Sequence, residues 1–227
     1  MKKIVISTII FVMASFSAFA DKTNVGIKIT MASMDADGSE TTDSGSINNG
    51  GAAVKHSKSA DFEMGSLFIE RQYEGAFGGM DVAVGLDLVP FKVEIDRIGG
   101  GTGFDAMIEV GNLITAYVQP MFNVGENSAL FVRAGWAQAD LDISNSARQA
   151  QAADQASDTA GTDSAASENL EGPMVGAGFQ TMLGDIGVRL EATYTDFDEI
   201  TYTNSNSKVL KADAELTQIS LALVKSF

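Results

Sequence analysis

The stretch Thr217-Gln218-Ile219-Ser220-Leu221-Ala222-Leu223-Val224-Lys225-Ser226-Phe227 closes the sequence and decides its reading. Thr217, Ile219, Leu221, Leu223, Lys225 and Phe227 fall on one face, and Gln218, Ser220, Ala222, Val224 and Ser226 on the other. Side chains of a strand alternate with period two, so this segment has one face of large apolar groups and one of small or polar groups. An apolar outer face and a polar inner one are what a strand needs to span a bilayer as part of a closed sheet.

The same alternation recurs upstream. Asn24 to Asp35 sets Val25, Ile27, Ile29 and Met31 against Gly26, Lys28 and Thr30. Met80 to Phe91 sets Val82, Val84, Leu86 and Leu88 against Ala83, Gly85 and Asp87. Leu113 to Asn123 is looser, with Ile114, Ala116, Val118 and Phe122 outward. Ser128 to Leu141 turns Leu130, Val132, Ala134 and Trp136 outward and Phe131, Arg133 and Gly135 inward. Gly172 to Leu183 and Ile186 to Phe197 follow, the latter with Arg189, Glu191 and Thr193 inward. Asp61 to Tyr73 breaks the rule, because Phe62, Met64 and Phe68 conflict with Leu67 and Ile69; a bulge is expected there. With the last segment these make eight strands, an even number as a single-chain bacterial barrel requires.

Connections alternate in length. Short ones lie at Glu74–Gly79, Gly125–Asn127 and Gly184–Asp185, and long ones at Ala36–Ala60, Pro90–Gly111, Asp142–Glu171 and Asp198–Ala212. The expected fold is all-β: an eight-stranded antiparallel up-and-down transmembrane β-barrel with short periplasmic turns and four long outer loops. Lys2 and Lys3, the apolar run Ile4–Phe16 and the small residues Ala18 and Ala20 read as a signal peptide over residues 1–20, removed after Ala20. Residues 21–227 are expected to form one barrel domain in the outer membrane of a Gram-negative cell.

Signal, strand count, loop pattern and terminal Phe227 resemble the small OmpA/OmpX-type outer-membrane β-barrel family over the whole mature chain. The resemblance implies that Ile219, Leu221, Leu223 and Phe227 form the last-strand signal read by the barrel assembly machinery. Lys225 departs from the family pattern, which has an aromatic residue there. A peptidoglycan-binding domain after the last strand, as in OmpA itself, is not expected here. Architecture of this kind carries fold and location but little function.

Composition narrows the partners. The net charge is −15, and loss of Lys2 and Lys3 with the leader makes it two units more negative. Such a surface is a poor match for nucleic acid, which is bound by clustered Lys and Arg. There is no Cys, which excludes disulfides and a lipidated cysteine. The expected partners are outer-membrane lipid and lipopolysaccharide, the assembly machinery, and a surface ligand or a host or phage contact. The protein is expected to be a monomer without cofactor or metal.

Lys28, Glu70, Arg133, Arg189 and Glu191 all fall on the inward face. An eight-stranded lumen is just wide enough to be filled by side chains, and charges there must pair. The expectation is a Glu70–Arg133–Arg189–Glu191 network, joined by Lys28, that plugs the lumen. The family resemblance implies that such pairs narrow or gate a water path. Trp136, Tyr194 and Tyr202 toward the outer ends, with Phe122 and Phe227 toward the inner ends, are expected to form interfacial girdles.

Catalytic signals are weak. His56, with Ser57, Ser59 and Asp61, reads as an ordinary polar loop rather than an acyl-transfer site, since no Ser sits on a nucleophile turn. Gly99–Gly103 lacks the Lys-Ser or Lys-Thr of a phosphate loop. Ser144–Glu168 is low in complexity and acidic, with no cation-loop spacing. The expected role is structural or surface interaction, through acidic extracellular loops. A narrow porin-like channel for small solutes or cations is the alternative, and a lipid-modifying enzyme a remote one.

Overall fold

The computed structural model describes residues 22–41, 54–99, 104–147, 166–203 and 209–227. The signal-peptide assignment and most of the acidic Ser144–Glu168 segment lie outside them, as do residues 100–103 of the glycine run. Among the described residues there are nine strands: β1 (Lys22–Thr41), β2 (Val54–Phe77), β3 (Met80–Leu88), β4 (Val93–Gly99), β5 (Phe104–Asn123), β6 (Ser128–Ala147), β7 (Ala166–Leu183), β8 (Ile186–Thr203) and β9 (Val209–Ser226).

All pairings are antiparallel, in the order β3-β2-β1-β9-β8-β7-β6-β5-β4. A further β3–β5 ladder, from Asp81↔Met121 to Leu88↔Ile114, closes the sheet on itself. At the seam between first and last strands, the Phe227 N–H donates to Thr23 O at 2.8 Å and the Thr23 N–H to Phe227 O at 3.1 Å. Closure leaves few unpaired backbone groups to face a bilayer.

The count of eight strands is corrected to nine. The expected second outer loop, Pro90–Gly111, contains β4 and the start of β5, which pair with each other from Val93↔Val110 to Gly99↔Asp105. The other expected loops are shortened as well, because β1 runs to Thr41 and β2 begins at Val54. The physical reason is the same throughout. Beyond the bilayer a strand needs no outward apolar face, so the large outward apolar residues stop while the hydrogen-bonded ladder continues.

Between β3 and β4 the wall is interrupted at residues 89–92. The Val89 N–H donates to Leu113 O at 2.9 Å, but Pro90 has no N–H to continue the ladder. Phe91 points outward beside Gly65 of β2. Lys92 crosses over Gly111 of β5 to reach Asp142 of β6 at 2.8 Å. The interruption is thus tied down on both sides.

The expected bulge in residues 61–73 is also corrected. β2 stays in unbroken register with β1 from Lys22↔Gln72 to Glu40↔Val54. The irregularity lies lower, between Tyr73 and Phe77 against β3. Met64, Ser66, Phe68 and Glu70 point inward, and Leu67 and Ile69 outward. The apolar inward residues that looked like a slip belong to an apolar section of the interior.

That section fills the long-loop end. Met34, Met64, Val89, Val110, Leu113, Leu170, Phe197 and Leu216 pack there with Ala32, Ala137, Ala139 and Ala214. Outside, Val25, Ile27, Ile29 and Met31 of β1, Leu130 and Val132 of β6, and Ile219, Leu221 and Leu223 of β9 are exposed. A belt of large exposed apolar residues around a closed sheet is a bilayer-spanning surface.

Candidate functional site

Below the apolar section lies a layer of charge. Strand alternation aims Lys28 (β1), Glu70 (β2), Asp87 (β3), Arg133 (β6), and Arg189 and Glu191 (β8) into the interior, where all six are buried. Three cations therefore face three carboxylates. Arg189 grips Glu70 bidentately, Nη2 to Oε1 at 2.5 Å and Nη1 to Oε2 at 3.0 Å. Its Nε and Nη2 also donate to Gln180 Oε1, at 2.8 and 2.5 Å. Glu70 accepts two more bonds, from Asn24 Nδ2 at 3.0 Å and the Tyr117 hydroxyl at 2.9 Å. Every lone pair of this carboxylate is engaged, which is what tolerable burial of a charge demands.

The second half of the layer is knitted less fully. Arg133 donates to Glu191 Oε1 at 3.2 Å and approaches Oε2 at 3.1 Å. Its Nε and Nη2 donate to Gln119 Oε1 at 3.0 and 2.7 Å. The Lys28 ammonium bridges Glu191 and Asp87. Among the described residues, Asp87 Oδ1, Glu191 Oε2 and Gln119 Nε2 are buried without a hydrogen-bond partner.

Aromatic rings wedge the cations in place. The Arg133 guanidinium lies 3.8 Å from the centroid of Tyr117, and that of Arg189 lies 4.8 Å from Phe68 and 5.4 Å from Phe131. Such stacking stabilises a desolvated cation. Room for two of the rings comes from inward glycines: a Cβ at Gly85 would stand 2.4 Å from Tyr117, and one at Gly178 would stand 2.3 Å from Phe131.

The layer divides the interior. On the short-turn side a polar vestibule of about 430 Å³ is lined by Asn24, Gln72, Asp81, Gln180 and the rim residues Lys22, Glu74, Glu126 and Asp185. On the long-loop side a void of about 20 Å³, room for a single water, separates Lys28, Asp87 and Glu191 from Met64 and Leu113. The apolar section follows.

The five inward charges read from the sequence thus lie in one layer, but not as one chain of pairs. Glu70 belongs to Arg189, while Arg133 and Lys28 share Glu191. Asp87, Tyr117, Gln119, Gln180 and Asn24 were missed, although Asp87 stood on the inward face of its strand. Of the aromatic residues, Trp136, Tyr194, Phe122 and Phe227 are exposed on the outer wall. The side chain of Tyr202 lies outside the described residues. Ile219, Leu221 and Leu223 face outward with Phe227. His56 is on β2, opposite Gly38. Among the described residues no group of three or more His, Asp or Glu is placed to hold a metal.

A second charged surface lies outside, at the long-loop ends. Asp35, Glu215 and Asp196 stand directly opposite one another on β1, β9 and β8 and are exposed. Asp37 and Asp213 repeat the juxtaposition one step further out. Near them Lys211 Nζ donates to Glu199 Oε1 at 2.6 Å, which holds the Glu199 carboxyl below its usual range and the Lys211 ammonium above its own.

No protein-family model matches the chain. No curated protein matches it either. Among solved structures, the outer membrane protein OprG from Pseudomonas aeruginosa is similar, at 15% identity over 90% of this chain and 95% of that one, with a TM-score of 0.50. Ail, the attachment invasion locus protein of Yersinia pestis, aligns at 13% identity over 88% of this chain and 98% of its own, with a TM-score of 0.42. Neisserial surface protein A aligns at 13% identity over 88% and 97%, with a TM-score of 0.40. The OprG likeness is one of fold: a small outer-membrane β-barrel. With the apolar outer belt, it places the protein in the outer membrane.

Proposed function

We propose that this protein is a non-conducting outer-membrane barrel with a structural or surface-interaction role, in which a filled interior stiffens a platform for acidic outer loops. The observation that carries this reading is the stacking of two seals. A charge-balanced layer, with Glu70 and Arg189 both fully buried, sits beneath an apolar layer containing Leu113, Leu170, Leu216 and Phe197. An ion crossing the second seal would leave water without gaining a partner, at a cost of several kcal/mol or more.

The opposed carboxylates Asp35, Glu215 and Asp196 support the outward-facing half of the reading. Like charges directly opposite on a sheet destabilise it, so their accumulation at the exposed end favours a surface role over a stabilising one. Such a field attracts cationic partners and repels anionic ones. The narrow-channel alternative rests on the polar vestibule and the small void, which the Arg189–Glu70 pair separates. Uptake of a small sugar by liposomes carrying the refolded protein distinguishes the two. The proposal expects the rate of protein-free liposomes, and a faster rate from heat-modifiable, folded protein overturns it.

A further inference from the structure

The lipid-facing wall has a notch. Gly65 on β2, Ile29 on β1, Leu221 on β9 and Leu190 on β8 are neighbours in one outward row. Three of them are large, and Gly65 contributes no side chain. Phe91, turned outward at the interruption between β3 and β4, forms the far bank, with its ring 3.5 Å from where a Cβ of Gly65 would stand. The result is a mostly apolar groove of about 530 Å³, continued upward by Met31 and Ile219, with Glu63 at its long-loop rim.

We propose that this groove seats an acyl chain of a bilayer lipid and holds that lipid as a specific ligand. The groove is continuous with the bilayer-facing belt: Ile29 is 68%, Met31 69% and Ile219 58% exposed on the protein alone. It opens sideways into the hydrocarbon, where the matching ligand is an unbranched methylene chain with no polar group to satisfy. Phe91 and Ile29 on opposite banks give such a chain contacts on two sides that a smooth barrel wall does not offer. Glu63 marks where the apolar lining ends, and there the headgroup emerges. A second copy of this barrel would present another strand wall, which is too broad to enter a notch one residue wide.

The test uses the full mature chain refolded into phosphatidylethanolamine and phosphatidylglycerol bilayers, extracted in mild detergent and weighed by native mass spectrometry. Wild-type protein should retain a single phospholipid. Phe91→Ala should lower that occupancy about tenfold, the effect of losing roughly half of a phenyl ring's apolar contact. Gly65→Phe, which fills the notch, should abolish it. Leu130→Ala, a belt substitution on the far wall, should leave it unchanged, and heat-modifiability shows that each variant is folded. Equal occupancy in wild type, Phe91→Ala and Gly65→Phe overturns the proposal. So does a wild type without bound lipid, or a dimer peak in its place. Quenching of a Phe91→Trp reporter, in a Trp136→Phe background, by chain-brominated phospholipid reads the same contact without detergent. Absence of quenching there also overturns it.

Discussion

Arg189 and Glu70 form a bidentate ion pair across the interior, from β8 to β2, with contacts of 2.5 and 3.0 Å and neither residue reached by solvent. Two strands of sheet, β1 and β9, separate the two along the shorter way round the wall, so the pair reaches across the interior between strands that do not touch in the ladder and lie far apart in sequence.

Glu70→Gln should therefore be costly. It leaves the Arg189 charge buried without its counter-ion, and breaking a buried pair costs about 3–5 kcal/mol. Replacing both partners, as Glu70→Gln with Arg189→Met, should recover part of that loss. Urea unfolding of the bilayer-refolded proteins measures both. A double variant no more stable than the single one would mean that the charge pair is not the source of the loss.

Gly85→Ala should destabilise without touching any charge. Its methyl would meet the Tyr117 ring at 2.4 Å, displacing the hydroxyl that donates to Glu70 and the ring beneath Arg133. Overpacking of this kind costs about 1–3 kcal/mol. Ala in place of both Gly85 and Tyr117 separates steric from polar loss, since the ring is then absent.

Glu215→Gln should act in the opposite direction. It removes the middle carboxylate of the Asp35–Glu215–Asp196 row and should stabilise by about 0.2–1 kcal/mol at low salt. The gain should shrink as ionic strength rises and screens the exposed row. Unfolding midpoints at two salt concentrations check it.

The Glu199–Lys211 pair gives a pH dependence. Its hydrogen bond from Lys211 holds the Glu199 carboxyl below the ordinary value of 4.5. A lowered folded-state pKa means the contribution is fully present above about pH 4.5 and is lost as pH falls through the lowered value. A carboxyl NMR titration should show the Glu199 midpoint rising in Lys211→Met.

Much of this was legible in the alternation. The outward sets Val25–Met31 and Ile219–Leu223 needed only period two, because lipid on one side imposes one chemistry on every second residue. The interior imposes no such uniformity. Lys28, Arg133 and Arg189 announced themselves as charges, whereas Met34, Met64, Leu170 and Leu216 gave no signal of pointing inward. Met64 and Phe68 even read as a defect in register. Which carboxylate would pair with which cation depended on the relative heights of strands, so Asp87 was passed over. β4 escaped notice because its alternation, Val93 and Ile95 against Glu94 and Asp96, is only four residues long and its pairing with β5 shifts register between Glu94 and Asp96.

Single-channel recording in planar bilayers reads the double seal itself. Folded wild-type protein should be silent, and so should Glu191→Gln and Arg133→Gln, because the apolar layer of Leu113, Leu170 and Leu216 stands above the charges in each. Steady openings in the wild type, shifting in size with substitutions at Arg133 or Glu191, would mean that the interior is not sealed and that the charged layer is the gate of a channel.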